Sequence, residues 1–347
     1  MEKHRSSPAA APATRSPGRR TYLMCRPAYY AVEYAINPWM DTTAPVDAAL
    51  ACTQWEALAD AYTALGHEVV RLEPEPGLPD MVYSANGAFV VDGIAYGASF
   101  RYPERRPEAD AHEKWYRTSG WAYAEPEFIN EGEGDFTYLP GRELILAGWG
   151  FRTDARAHAE AADVFGRPVV SLRLVDPRYY HLDTALAPLD DERIAYYPEA
   201  FAPGSRLLLE RLFPDAVLAD AEDAAGFGLN FVSDGRNVVI NAEAAGFAKK
   251  LRDAGYEPVP VDLSELKKGG GSVKCCTPDR RGAPREPAPR INRRAGEPAA
   301  LVHRPFGLRG DRVEDADRAC RGVRESPALP APWSQQGLRP TRRPWWS

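Results

Sequence analysis

Four strand–turn–strand segments recur along this chain at a nearly constant interval, and that recurrence limits the fold more than any other feature. Ala88–Ala98 reads as two strands about the turn Asp92-Gly93, Phe136–Gly148 about Pro140-Gly141, Thr184–Tyr197 about Asp190-Asp191, and Leu229–Asn241 about Asp234-Gly235. The turns lie about 44 to 50 residues apart, the mark of an internal repeat. Asp-Gly and Pro-Gly between apolar runs signal hairpins, because glycine accepts the positive φ that a tight turn imposes. Helical stretches come next: Ala155–Val164 leads to a strand at Val169–Leu174, Gly204–Leu212 to Ala216–Leu218, and Ala242–Ala254 to Val259–Val261. Pro45–Leu65 carries apolar residues at helical intervals and runs into Glu68–Leu72. Each unit is therefore hairpin, helix, strand. One such unit cannot bury its own apolar faces, so several must pack about a common axis in an α/β fold. With the opening strand Tyr22–Cys25 and a closing segment near Cys275, five units fit.

The ends have a different character. The first twenty residues are basic and rich in Pro, Ala and Ser, without the apolar core of a signal peptide, and they predict a disordered leader over 1–20. From Pro278 onward the chain holds 11 Pro and 15 Arg, no Lys and no sustained apolar periodicity. Such a tail cannot bury enough surface to offset its ordering entropy, so 278–347 is predicted to be disordered or the product of a non-native reading frame. The folded domain is thus expected over 21–277. Because the tail is so rich in arginine, the net charge of −6 means that the folded part is strongly acidic. That argues against nucleic acid and fits a soluble enzyme with a cationic substrate. No apolar run reaches the roughly 18 residues of a membrane span. Five cysteines, an odd number with one adjacent pair, do not make a disulfide framework and point to a reducing, cytoplasmic setting. The oligomeric state is left open, a homo-oligomer included.

Few residues qualify for chemistry. Lys268–Thr277 places three glycines before Cys275 and Cys276, and glycines permit close approach of backbone to a ligand. Lys274 beside Cys275 would raise the thiolate fraction. A flexible turn leading into two small buried residues explains the same sequence about equally well. Of six histidines, His4 and His303 fall in the ends, His67 follows a helix-ending Gly, and His112 and His158 sit in helical surface sequence. His181 opens a hairpin, and strand alternation would put it on one face with Asp183. A satisfied structural pair is the commoner meaning of that pattern. Asn130–Asp135 alternates carboxylates with glycines, leaving room for a cation. Asp80 and Asn86 stand before the first of the four hairpins, and Arg152 follows a strand, where its guanidinium would clamp a carboxylate. Helix capping by Thr153 or Asp154 accounts for the Arg152 segment as well. Adjacent cysteines lack the spacing of a zinc site, and no phosphate loop or complete dinucleotide fingerprint is present, so no metal or cofactor is expected.

In this order, Pro79–Asn86, Glu131–Asp135, Gly150–Asp154, His181-Leu182-Asp183-Thr184 and Gly269–Thr277 resemble the guanidine-modifying superfamily of dimethylarginine dimethylaminohydrolases, arginine deiminases and glycine amidinotransferases. The resemblance covers roughly Tyr22 to Thr277, and Ile36-Asn37-Pro38-Trp39-Met40 looks most like bacterial dimethylargininases. It implies a five-bladed α/β propeller (pentein) of pseudo-repeated ββαβ units. It implies Cys275 as nucleophile, His181 as acid/base, Asp183 and Glu131 as guanidinium ligands, and Arg152 as the grip on a substrate carboxylate. Glu133 is the alternative to Glu131, because Glu-Gly-Glu-Gly-Asp is longer than the common motif. Asp80 and Asn86 are implied as further substrate contacts, Asn86 standing where many relatives carry an aspartate and where succinylarginine dihydrolases have a similar Ala-Asn context. The activity implied is hydrolysis of an arginine derivative, dimethylarginine to citrulline and dimethylamine, through a covalent cysteine adduct without metal or cofactor. Arginine deimination and amidino transfer share the covalent step, and a cationic amino-acid binding protein is the non-enzymatic alternative.

Overall fold

The computed structural model describes residues 15–280, so residues 1–14 of the leader expected over 1–20, and the tail beyond 280, lie outside the described residues. β1 (Thr21–Cys25) is followed by α1 (Ala48–Ala64) and β2 (Glu68–Leu72), which pairs with β1 in parallel from Thr21↔Glu68 to Cys25↔Leu72. One pattern then repeats. Its first copy is β3 (Ala88–Val91), β4 (Ile94–Gly97), α2 (Arg106–Thr118) and β5 (Ala122–Ala124); its second is β6 (Phe136–Leu139), β7 (Leu144–Trp149), α3 (Arg156–Phe165) and β8 (Val169–Arg173). β9 (Leu186–Pro188), β10 (Ile194–Tyr196), α4 (Pro203–Leu212) and β11 (Val217–Leu218) form the third. After the short helix α5 (Ala221–Ala225), the fourth is β12 (Val232–Ser233), β13 (Asn237–Asn241), α6 (Ala245–Asp253) and β14 (Glu257–Val261). In every copy the first two strands are antiparallel and the third is parallel to the second. The described residues thus form five small sheets.

The sequence dictates this locally. The second strand of each copy is covered on both faces and reads as a continuous apolar run, as in β7, where Ile145, Leu146 and Ala147 are fully buried. The third strands are mostly half-exposed. Asp47 caps α1 by accepting the Leu50 N–H at 2.9 Å, and Gly166 ends α3 with φ +62°. α2 and β5 complete the first copy, although their sequence does not stand out. Glu108 and His112 share the inner face of α2 with Ala111 and Tyr116, so polar residues interrupt its apolar stripe. His112 and His158, expected on helix surfaces, are both buried.

Described residues outside 21–277 also pack against the fold. Arg15 pairs with Asp190 at 2.7 Å and lies over the Tyr256 ring, and the Gly18 N–H donates to Asp234 O at 2.8 Å. At the other end Tyr22 bridges Asp279 in antiparallel fashion, with Leu23 N–H donating to Pro278 O and Arg280 N–H to Thr21 O. The first sheet thus obtains its missing antiparallel partner from the chain just past Cys275. No helix among the described residues is long and apolar enough to cross a membrane.

Burial, and secondarily the Arg105 charge, lower His112 from its ordinary 6.5 to about 3. The unfolded chain therefore binds this proton first. The stability contribution is fully present above pH 6.5 and is lost as pH falls toward 3, with a slope approaching about 1.4 kcal/mol per pH unit. Urea unfolding at pH 7 and pH 5 is expected to show a smaller loss in His112→Phe than in the wild type; equal losses refute the assignment.

Candidate active site

The polar residues singled out in the sequence sit where the chain enters each hairpin. Single 3₁₀ turns at Ser84–Gly87, Gly132–Gly134 and Leu182–Thr184 precede β3, β6 and β9. Asn230 occupies the same place before β12, and Lys274–Thr277 precedes the Asp279 bridge. Hydrogen bonds join these turns in succession. Asn86 Nδ2 donates to Glu131 O at 3.4 Å, Leu182 N–H to Asp135 Oδ1 at 3.0 Å, Asn230 Nδ2 to Asp183 O at 3.1 Å, and Lys274 N–H to Asn230 Oδ1 at 3.0 Å. Ala85 N–H donates to Cys275 O at 3.0 Å, which returns the series to its start. The turns approach so closely that a Cβ on Gly134 would lie 2.3 Å from Asn86 Nδ2. The alternation of glycine and carboxylate in this motif is thereby explained.

Two buried pairs stand out. The Cys275 thiol donates to Asp183 Oδ2 at 3.3 Å and accepts from Asn230 Nδ2 at 3.2 Å. His181 Nε2 lies 2.7 Å from Glu131 Oε2, the oxygen that also receives Arg152 Nη1 at 2.7 Å. Strand alternation therefore misplaced the partnership. His181 precedes a 3₁₀ turn rather than lying within a strand, and its carboxylate is Glu131, while Asp183 goes to the thiol. Glu131 is ionised and can only accept, so Nε2 carries a proton; Nδ1 has no hydrogen-bond partner. Arg152, besides holding Glu131, donates to Ile36 O at 3.1 Å and stacks between the Tyr102 and Tyr180 rings.

Asp80 accepts from the Tyr34 hydroxyl at 3.0 Å and lies 3.8 Å from Arg105 Nε. Arg105 also makes a bidentate pair with Glu108 and donates to Asn86 Oδ1 at 2.8 Å, so Asn86 reaches the site already engaged on both sides. Glu133 does not join Glu131. It turns to Lys274 Nζ at 2.7 Å and to the Asp279 N–H at 3.0 Å. The segment bearing the dimethylargininase-like motif closes over these groups, with Asn37 Nδ2 donating to Gly269 O and Trp39 Nε1 to Arg178 O. Arg105 and Asn230 were missed in the sequence. Asn230 had a signal, its place at the entrance of the fourth hairpin; Arg105 lies in a charged run that reads as a solvated loop. No group of His, Cys, Asp or Glu among the described residues is arranged to hold a metal ion.

The electrostatics follow from burial. Desolvation first, then the Asp183 charge, push the Cys275 thiol well above its ordinary range, so the adjacency of Lys274 does not make a resting thiolate. Burial also raises Asp183 to about 6 against the pull of Lys274. For Glu131 burial pulls upward too, but Arg152 and His181 outweigh it and hold the carboxyl far below the usual range. A neutral thiol and the Glu131–Arg152 ion pair, with His181 on the same carboxylate oxygen, therefore lie on either side of the Leu182 turn.

Known proteins similar to this chain cover most of its described residues. No protein-family model matches the chain. A Mycobacterium tuberculosis protein named N(G),N(G)-dimethylarginine dimethylaminohydrolase is 58% identical over 266 residues, 77% of this chain and 87% of its own length. The chain belongs to the dimethylarginine dimethylaminohydrolase family. Solved structures share the fold. The N-terminal domain of ArgZ, a cyanobacterial arginine dihydrolase, solved as a cysteine-to-serine variant bound to substrate, superposes with TM-score 0.73 at 31% identity, covering 76% of this chain and 98% of that one. A dimethylarginine dimethylaminohydrolase adduct with 4-chloro-2-hydroxymethylpyridine shares the fold at 19% identity and TM-score 0.63, covering 75% of this chain and 99% of that one.

Asn230 serves Lys274, Cys275 and Asp183 at once. Asn230→Ala is expected to destabilise the fold by about 2 to 4 kcal/mol in urea titration, from lost bonds and buried groups left unpaired. A change below about 0.5 kcal/mol would show that the linked turns do not need it.

Proposed function

We propose that this chain hydrolyses the guanidinium group of N-methylated arginine, releasing citrulline and dimethylamine. The observation that carries the reading is the Cys275–Asp183 contact two residues along the chain from the His181–Glu131 pair, in a member of this family. Asp183 Oδ1 and Asp80 Oδ1 are buried without hydrogen-bond partners, which suits them to the N–H groups of a cationic substrate. In this reading Asp183 and Asp80 hold the guanidinium, with Asn86 beside them and Glu131 shared between the substrate and His181. Arg152, which shares Glu131 Oε2 with His181, takes the substrate carboxylate. The five sheets are the blades of an α/β propeller, with the entry turns at its polar centre, and the catalytic domain runs from near Arg15 to Arg280.

The chemistry proceeds in two halves. A bound guanidinium brings positive charge to a site where burial disfavours thiolate, so the thiol loses its proton most readily with substrate in place. The Cys275 thiol gives its proton to His181 as the sulfur bonds to the guanidinium carbon, His181 passes that proton to the departing dimethylamine, and the carbon–nitrogen bond breaks to leave a thiouronium. Water then gives a proton to His181 and bonds to the same carbon, the carbon–sulfur bond breaks, and the ureido product leaves with the thiol restored. The groups present perform each step. The buried free cysteines Cys25, Cys275 and Cys276 suit a cytoplasmic setting.

Purified protein is incubated separately with dimethylarginine, arginine and succinylarginine, and with arginine plus glycine, while ureido product and released amine are measured. Dimethylarginine is expected to give equal amounts of citrulline and dimethylamine. Cys275→Ser is expected to lose at least about 1,000-fold in kcat, and acid quenching should trap a covalent adduct in the wild type alone. Turnover of arginine alone, or transfer to glycine, would replace the substrate assignment; binding without product or adduct would establish a binding protein.

A further inference from the structure

Lys274 precedes the nucleophile, yet its side chain is drawn inward between two buried carboxylates. Its ammonium donates to Glu133 Oε2, the oxygen already accepting the Asp279 N–H. Lys274, Glu133 and Asp183 line one small cavity of about 10 Å³, whose remaining wall includes Phe136, Leu182 and Leu186. Asp183 has one oxygen on the thiol and the other without a partner. We propose that Lys274, anchored by Glu133, is a positioning residue that keeps Asp183 charged for a guanidinium, so that this pair sets the acid limb of the pH–rate profile. The inference rests on Asp183 being a guanidinium ligand.

A carboxylate against an apolar wall protonates readily unless a cation faces it. The groups facing Asp183 are the thiols of Cys275 and Cys276, the Tyr180 phenol and Lys274, with Glu133 beyond the ammonium. Burial, with smaller contributions from neighbouring acids, keeps the thiols and the phenol neutral. His181, on the same turn, is directed to Glu131. Of these groups facing Asp183, Lys274 supplies the positive charge that opposes desolvation. Glu133 has a separate effect: it holds the ammonium back, so that Lys274 favours the charged carboxylate without occupying it.

The test is kcat/KM against pH for the wild type, Lys274→Met, Lys274→Arg and Glu133→Gln, with thermal melts to confirm folding. Lys274→Met is expected to move the acid limb upward by about 1 pH unit or more, and Lys274→Arg to restore it. Glu133→Gln, which frees the ammonium to reach Asp183, is expected to move the limb downward and raise KM. A Lys274→Met variant that is slower by the same factor at every pH, with its limb in place, overturns the proposal. Should that variant fail to fold, an unmoved limb in Glu133→Gln overturns it instead. Asp183→Asn with unchanged kcat and KM would sink the guanidinium-ligand reading itself; an inactive Asp183→Asn with an unmoved Lys274→Met limb sinks the Lys274 proposal alone. Iodoacetamide labelling of Cys275 against pH gives a readout without turnover: its midpoint is expected to rise in Lys274→Met, and an unchanged midpoint counts against the proposal.

Discussion

The series of hydrogen bonds that joins the five entry turns and closes on itself is the constraint on which the rest of this structure depends. Each link uses a residue from one unit to satisfy a group in the next: Asn86 to Glu131, Asp135 to Leu182, Asp183 to Asn230, Asn230 to Lys274, and Cys275 back to Ala85. The turns are buried, so unpaired backbone groups there would each cost on the order of 1–3 kcal/mol. Satisfying them between units fixes where consecutive hairpins start relative to one another. A side chain just beside a link is thereby aimed at the same small region from a different unit. Convergence of Asn86, Glu131, His181, Asp183, Asn230 and Cys275 is a consequence of how the backbone is satisfied, and the chemistry is laid over it.

Charge is distributed in that region by pairing rather than by solvation. Arg152 and His181 share one oxygen of Glu131, Arg105 takes both oxygens of Glu108, and Lys274 takes Glu133. Breaking such a pair by removing one partner typically costs about 3–5 kcal/mol, since an uncompensated charge remains buried. Asp183 differs in having a thiol rather than a cation as its direct partner. Its second oxygen has no partner, so a cation could approach it without a resident ion pair being broken first, and its first oxygen touches the Cys275 sulfur. Placement of the unpaired carboxylate and placement of the thiol are therefore coupled.

The repeat was legible because hairpin turns and doubly buried strands leave strong local traces: Asp92-Gly93 and Asp234-Gly235 turn where expected, and β7 is an unbroken apolar run. The candidate residues were legible too, since unusual polar clusters next to glycines recur at hairpin entrances. Their partnerships were not. The His181–Asp183 pairing assumed strand alternation, and a 3₁₀ turn at Leu182–Thr184 sends the two side chains to different units. Glu131 and Glu133 flank Gly132, yet one meets Arg152 and the other Lys274, and local sequence does not say which way each turns. Arg105 was invisible because a buried guanidinium satisfied by Glu108, Asn86 and Asp80 has the same local sequence as a solvated one.

The closing of the first sheet bears directly on the Cys275 thiol. Hairpins elsewhere carry two to four residue pairs, whereas among the described residues the closing segment meets β1 through the bridge Tyr22↔Asp279 alone. Cys275 lies just before that bridge, and its segment is held from the side as well: Tyr62 donates to Thr277 Oγ1, Ser84 Oγ donates to Leu23 O and Cys276 O, and Arg280 lies over the Trp115 and Trp121 rings. These contacts come from α1, from the first entry turn and from α2 and the residues just after it, three separate parts of the fold. An isolated bridge would hold its segment weakly on its own. Lateral anchoring substitutes for ladder length, and it places the thiol by residues up to Arg280, within a few positions of the point where the sequence turns to proline and arginine.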